Sequence, residues 1–258
     1  MAELNREASA TSSALAWQAE SWRLTAFLSA SSQISEPSWW TDLVGEPPET
    51  RVSNPRQGLL QEQGGYCGGT LILAIQPGRV DWQFTAVPIQ GEESVNADPL
   101  LGPALEALEN FRPLALRWLE LSPPITRLAV GAILLQTVVD REEAYRLITR
   151  YVPGLRLDSE GCKDFFYQIN RPRLSTAHSQ LRINRLTKWS AATAGLVRVG
   201  LPTPSIVSRV ELYLGARLEL DISTAEDSNT QLSATDLPAL LGELINLGLE
   251  IADRGDTP

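Results

Sequence analysis

The stretch Val210-Glu-Leu-Tyr-Leu-Gly-Ala-Arg-Leu-Glu-Leu-Asp-Ile222 alternates between apolar and polar residues over its whole length. Side chains of a β-strand point to opposite faces in turn, so this period of two predicts a strand with one apolar and one polar face. Gly215 falls on the polar face and is a candidate β-bulge. A strand of this kind needs other strands beside it and a second layer over its apolar face.

A β-hairpin is predicted upstream, where Gly69–Gln76 and residues 80–87 flank Pro77-Gly78. Proline followed by glycine suits the two central positions of a type II turn. Further strands are predicted at residues 22–29, 125–138, 162–170, 181–189 and 194–200. Residues 46–63 contain three prolines and only weak periodicity, which predicts a long loop.

Helices are predicted from start signals and from apolar residues that recur every three to four positions. Residues 103–121 carry such a pattern, and Pro113 within it predicts a kink or a break. Asp140 and Glu143 form the acidic start signal of a short helix. A leucine-rich helix begins near Asp236 and closes the chain.

Two consecutive tryptophans are predicted to lie on a short helix near the N-terminus. Ser38 is its predicted N-cap, and Trp39 and Trp40 follow directly. Neighbouring residues of a helix cannot easily both point inward. The two tryptophans are therefore either core residues or partner anchors, and in the second case one of them is exposed as an interface residue.

The order of predicted elements suggests an internal repeat. A strand, a short helix, further strands and a helix occur twice along the chain. This order predicts an α+β protein with two related lobes, each a mainly antiparallel sheet backed by helices. The expected organisation is a disordered tail at 1–13, an N-terminal lobe at 14–121, a C-terminal lobe at 122–253 and a tail at 254–258.

The layout of several elements resembles that of a known family. These elements are the hairpin with Trp82, helix 103–121, the segment 122–128, and the strand containing Leu218-Glu-Leu-Asp221 with the leucine-rich helix after it. In this arrangement the chain resembles a sporadically distributed family of uncharacterised bacterial proteins of similar length. The resemblance implies a bacterial origin and carries no established activity.

The scarcity of cysteine and histidine limits the chemistry that the chain can perform. Cys67 and Cys162 are the only cysteines, and His178 is the only histidine. Together they offer fewer ligands than a four-ligand zinc site requires. No secretory signal and no uninterrupted apolar run of membrane-spanning length is found, so a cytoplasmic protein without a membrane segment is expected. No motif indicates a cofactor, and none is expected.

The clearest functional signal is a positively charged segment at residues 165–210. It contains seven of the 22 basic residues and none of the 31 acidic residues, in a chain of net charge −9. Such an asymmetry of charge is typical of a surface that faces a partner. The segment is predicted to form a hairpin that binds through Asn170, Arg171, Arg173, Arg182, Asn184, Arg185, Lys188 and Trp189.

Three functions are compatible with this pattern. The favoured one is a non-catalytic protein-binding or assembly module whose unknown partner is acidic at the contact, and a homodimer is left open. RNA or single-stranded DNA is a disfavoured alternative, because the net charge is negative. A metal-dependent hydrolase or nuclease using Glu219 and Asp221 is the enzyme alternative. Pairing of the arginines with the protein's own acids competes with all three.

Overall fold

The computed structural model describes residues 15–29, 38–86, 100–158, 161–162, 164–195, 212–225 and 231–257. Over these ranges the chain forms ten strands and four α-helices, which confirms the predicted α+β class. The elements are β1 (Gln18–Leu28), α1 (Trp39–Val44), β2 (Thr50–Asn54), β3 (Leu59–Tyr66), β4 (Gly69–Gln76), β5 (Arg79–Thr85), α2 (Ala104–Leu121), β6 (Ile125–Thr137), α3 (Arg141–Tyr151), β7 (Phe166–Asn170), β8 (Arg173–Leu174), β9 (Arg182–Gly195), β10 (Leu212–Thr224) and α4 (Leu237–Arg254).

All ten strands belong to one antiparallel sheet. Its order is β2-β3-β4-β5-β1-β6-β10-β9-β7. β8 pairs with the first two residues of β9, Arg182 and Ile183. The pairing of β1 with β6 joins the two halves of the chain, and Trp22 lies opposite Ala132 at its centre. One sheet therefore runs through both predicted lobes, while their division near residue 121 stays a prediction.

β10 follows the alternation that the sequence indicates. Ala216, Leu218, Leu220 and Ile222 are all buried. Gly215 is not a bulge, because β10 keeps regular register with both β6 and β9 at this position. A Cβ atom there would lie 2.7 Å from the Gln136 carbonyl oxygen. The glycine is required by the close approach of the neighbouring strand.

The first half confirms the predicted hairpin and corrects the predicted loop. β4 and β5 pair on either side of Pro77-Gly78, and Gly78 has a φ of 72°, as the third position of a type II turn requires. Residues 46–63 are not one long loop, since β2 and most of β3 lie there and pair with each other. Every residue of β2 is exposed at the edge of the sheet, so this strand has no apolar alternation to reveal it.

The tandem tryptophans are both buried, which decides for the core alternative and against an exposed interface residue. Trp39 is 8% exposed and Trp40 is 2% exposed. Trp40 stacks on Trp82 of β5 with ring centroids 6.2 Å apart, and Trp39 packs edge-on against Trp118 of α2 at 5.6 Å. The sheet covers α1 on one side and α2 covers it on another, which explains why both rings are enclosed.

The other three helices pack on the same face of the sheet as α1. The Trp22 indole N–H on β1 donates to the Ala104 carbonyl oxygen of α2 at 3.2 Å. The Tyr151 ring of α3 stacks on Trp189 of β9. In α4, Gly248 lies against Leu220 of β10. All four described helices therefore cover one face and leave the other uncovered.

The predicted helices are present as well. α2 continues through Pro113 without a break. α3 begins as expected, with Asp140 Oδ1 accepting a hydrogen bond from the Glu143 backbone N–H at 2.8 Å. None of the helices in the described ranges is long and apolar enough to cross a membrane.

Candidate binding groove on the open sheet face

The face of the sheet opposite the helices is called the open face. It carries the side chains that alternate with the buried ones, such as Arg23 on β1 and Glu219 and Asp221 on β10. These side chains are half-exposed to solvent. A polar sheet face with charged groups from several strands can contact a partner without any rearrangement of the core.

Two rows of residues cross the open face at right angles to the strands and line a groove. Each row contains one residue from successive neighbouring strands in hydrogen-bonded register. The first row is Gln83, Arg23, Gly131, Asp221 and Leu186, and the second is Ser21, Ile133, Glu219 and Lys188. The two rows enclose a volume of about 310 Å³, which is called the open-face groove.

Gly131 forms the floor of the groove at its centre. A Cβ atom at this position would lie 3.2 Å from Arg23 Nη2 and 3.4 Å from the Leu220 carbonyl oxygen. The absence of a side chain therefore lets the Arg23 guanidinium group lie over the middle of β6. Gly131, which lies between Arg23 and Asp221 in register, is thus the lowest part of the groove.

One end of the groove carries a network of firmly held charges. Arg217 donates to Glu20 Oε1 at 2.9 Å and also bonds the Glu219 carboxylate. Lys188 Nζ lies 3.3 Å from the same carboxylate. Burial alone would lower the pKa of Arg217, but the hydrogen bonds and charges of Glu20 and Glu219 raise it overall. These charges satisfy one another.

The charges at the centre of the groove are not satisfied in this way. Arg23 Nη2 lies 3.8 Å from Asp221 Oδ2, which is beyond hydrogen-bonding distance. The two side chains are 38% and 41% exposed. Neither makes a side-chain hydrogen bond to any other described residue, and Arg23 Nε is buried without an acceptor. Arg23 and Asp221 are therefore available to an external group.

The predicted basic hairpin exists, and four of its eight predicted binding residues lie on the open face. β7 and β9 pair antiparallel, and β8 continues the edge beyond β7. On the open face are Asn170, Arg182, Asn184 and Lys188. Asn170 Nδ2 donates to Asn184 Oδ1 at 3.1 Å, and Lys188 lines the groove itself. On the edge strand β7, Asn170 lies opposite the groove residue Leu186.

The other four predicted residues lie on the helix-covered face. Arg171 pairs with Asp256 at 3.2 Å, and Arg173 pairs with Glu250 at 3.4 Å. Arg185 is only 5% exposed, and Trp189 is fully buried in the core. The competing expectation, that the segment is neutralised by the protein's own acids, is met by Arg171 and Arg173 on this face and by Lys188 on the open face.

Most of the groove is not apparent from the sequence. Its residues Ser21, Arg23, Gln83, Gly131, Ile133 and Leu186 were not among the predicted binding residues. The only local signal was the placement of Arg23 on the polar face of an alternating strand. In the sequence Arg23 cannot be distinguished from a solvated surface arginine. Only strand pairing brings it beside Asp221, almost 200 positions away.

The carboxylates predicted as metal ligands also line the groove. Glu219 is held by Arg217 and Lys188, and Asp221 faces Arg23. In the part of the chain that the structure describes, no three His, Cys, Asp or Glu residues are grouped as a metal site. The surroundings of this pair are cationic and offer no observation in favour of a metal.

A polar loop joins β8 to β9 and is anchored on α4. The Glu243 carboxylate accepts hydrogen bonds from the Ser175 hydroxyl at 2.5 Å, from the Thr176 backbone and hydroxyl at 2.6 and 2.8 Å, and from the Ala177 N–H at 3.3 Å. His178, which follows in this loop, is exposed. Partial burial acts to raise the pKa of Glu243. The four hydrogen bonds act in the opposite direction and together outweigh burial, so the pKa of Glu243 is lowered overall.

Glu243→Gln is expected to lower the free energy of unfolding at neutral pH by about 1 kcal/mol, because a charged acceptor is lost. The wild-type advantage is present above the ordinary carboxylate pKa and is lost as pH falls through the lowered pKa of Glu243. Urea unfolding of both proteins at neutral pH and below about pH 4 measures this. An advantage that stays constant across this range contradicts the role assigned to Glu243.

The fold and the groove together define a class. Over the described residues the chain is an α+β protein with a single antiparallel sheet, helices on one face and a groove of paired and unsatisfied charges on the other. No model of a known protein family matches the chain, and no curated protein matches it significantly. The resemblance in layout to bacterial proteins stays a prediction, and function is argued from the groove.

Proposed function

We propose that this protein is a non-catalytic binding module that holds a protein partner on the open face of its sheet. The observation that carries the proposal is the groove across five neighbouring strands, with Arg23 and Asp221 at its centre and without side-chain hydrogen bonds to other described residues. Packing of the helices on the opposite face fixes the strands that present these groups. The surface is therefore preorganised, which reduces the entropic cost of binding.

The composition of the groove favours a protein over a nucleic acid. Two cations, Arg23 and Lys188, share it with two carboxylates, Glu219 and Asp221. A phosphate backbone requires an excess of cations. Stacking of bases requires exposed rings. Trp189 is buried, and the exposed Phe166 ring on the edge strand β7 does not line the groove. Ile133 and Leu186 add the apolar contacts that a protein interface uses at its core.

A groove-filling substitution tests the proposal. Gly131→Val places a branched side chain on the floor, where the nearest side-chain atoms belong to the flexible end of Arg23. The tagged wild-type protein and the variant are each used for affinity capture from an extract of the source cell, with and without nuclease. Gly242→Ala on α4, where the added Cβ meets open space, is the control.

We expect the wild type and the control to retain the same protein after nuclease treatment, and Gly131→Val to lose it. Circular dichroism checks that the variant remains folded. If the retained protein is a second copy of this chain, the groove is a dimer interface. Full retention by a folded Gly131→Val variant, or recovery of nucleic acid alone, contradicts the proposal.

A further inference from the structure

The chemistry of the partner follows from the two unsatisfied charges in the groove, and this inference rests on the proposed function. Two other cations of the open face, Arg79 and Arg217, are held by short contacts. Arg79, for example, makes two hydrogen bonds to Asp81, at 2.6 and 2.8 Å. Arg23 and Asp221 instead face each other across Gly131 at 3.8 Å. A contact of this length between two half-exposed groups contributes little to stability, so a partner can replace it at low cost.

The arrangement of charge selects a ligand that carries both signs. A purely acidic segment would bind Arg23 but would place a negative charge beside Glu219 and Asp221. A purely basic segment would bind Asp221 but would meet Arg23 and Lys188. A like charge at such short range disfavours each of these ligands. A segment with one carboxylate and one cation satisfies both central groups.

We propose that the groove binds an extended segment of the partner that presents a carboxylate to Arg23 and an ammonium or guanidinium group to Asp221. The backbones of β1 and β10 lie on either side of β6, about 10 Å apart at two strand spacings. Residues i and i+2 of an extended segment point the same way and lie about 7 Å apart. Glutamate and lysine at these positions can reach Arg23 and Asp221 together.

Two synthetic peptides of equal composition test this geometry. Acetyl-Ala-Glu-Ala-Lys-Ala-amide presents its two charges on one side of an extended chain. Acetyl-Ala-Glu-Lys-Ala-Ala-amide presents them on opposite sides. Each is added at millimolar concentration, and NMR follows the backbone amide resonance of Gly131 in every protein and the Nε–Hε resonance of Arg23 wherever Arg23 is present. Arg23→Gln and Asp221→Asn are the test variants. Arg254→Gln is the matched control, because Arg254 Nε lies 3.5 Å from Asp253 Oδ2 in an exposed pair on α4.

The first peptide is expected to shift the Arg23 resonance and to bind about tenfold more weakly to Arg23→Gln and to Asp221→Asn. The second peptide should bind no more tightly to the wild type than to these variants. No shift with the first peptide, or equal binding of both peptides, overturns the inference. If Gly131→Val loses the captured partner while Arg23→Gln and Asp221→Asn retain it, the binding module stands and the mixed-charge recognition fails. If all three retain it, the proposed function fails as well.

Discussion

Trp189→Ala is expected to lower the free energy of unfolding by about 3–5 kcal/mol, because a fully buried aromatic side chain is removed from the core. The Trp189 ring stacks on Tyr151 with centroids 5.5 Å apart and meets Trp17 edge-on at 6.1 Å. The cavity left by alanine thus lies where β9, α3 and the start of β1 meet. Guanidinium chloride unfolding, followed by circular dichroism, measures the loss.

Lys188→Ala is the control for this prediction, since it changes the neighbouring residue on the opposite face of β9. Its ion pair with Glu219 is half-exposed, so the expected loss is about 0.5 kcal/mol. A large difference between the two variants assigns Trp189 to the core and Lys188 to the groove. Similar small losses for both would contradict the placement of Trp189.

Arg171→Met is expected to destabilise the protein by about 2–4 kcal/mol, because it leaves a buried carboxylate without its cation. Asp256 is 1% exposed and lies 3.2 Å from Arg171 Nε, and the Thr187 hydroxyl donates to it at 3.3 Å. Its backbone N–H donates to the Tyr151 carbonyl oxygen, so this C-terminal residue packs into the molecule.

Arg173→Met provides the matched comparison, because Arg173 also pairs with an acidic residue near the C-terminus. Both partners of that pair are about 40% exposed, and the expected loss is about 0.5 kcal/mol. Thermal and urea unfolding of the two variants are compared under the same conditions. Equal losses would show that burial of Asp256 does not govern the energy of the Arg171 pair.

Elements whose sequence signals involve only a few neighbouring residues were predicted correctly. The alternation in β10, the Pro77-Gly78 turn and the Asp140 cap of α3 each depend on a few neighbouring residues. β2 was not predicted from the sequence, because an exposed edge strand needs no apolar face and therefore shows no alternating pattern. The start of β3 was hidden for the same reason, since its pattern only emerges at Leu60 and the buried Glu62 interrupts it.

The faces of β9 could not be assigned from the sequence. Its buried positions include Arg185 and Thr187 beside Ile183, while Leu186 points to the open face. Hydrophobicity therefore does not alternate along this strand, and all basic residues of the hairpin were equal candidates for binding. Only strand register separates those on the open face from those that pair beneath the helices.

The groove is the least predictable part, because its residues come from five strands spread over most of the chain. Arg23 and Asp221 approach each other only through the pairing of β1 with β6 and of β6 with β10. No spacing in the sequence encodes this proximity. The positive charge of residues 165–210 indicated Lys188, at one wall of the groove, but neither Arg23 nor Asp221 at its centre.

Methyl NMR with the captured partner shows whether the partner lies in the open-face groove. Ile133 and Leu186 line the groove, whereas Leu121 and Val139 are exposed at the end of α2 and before α3. We expect the methyl resonances of Ile133 and Leu186 to shift on binding while those of Leu121 and Val139 stay in place. Shifts confined to Leu121 and Val139, with Ile133 and Leu186 unchanged, would contradict it.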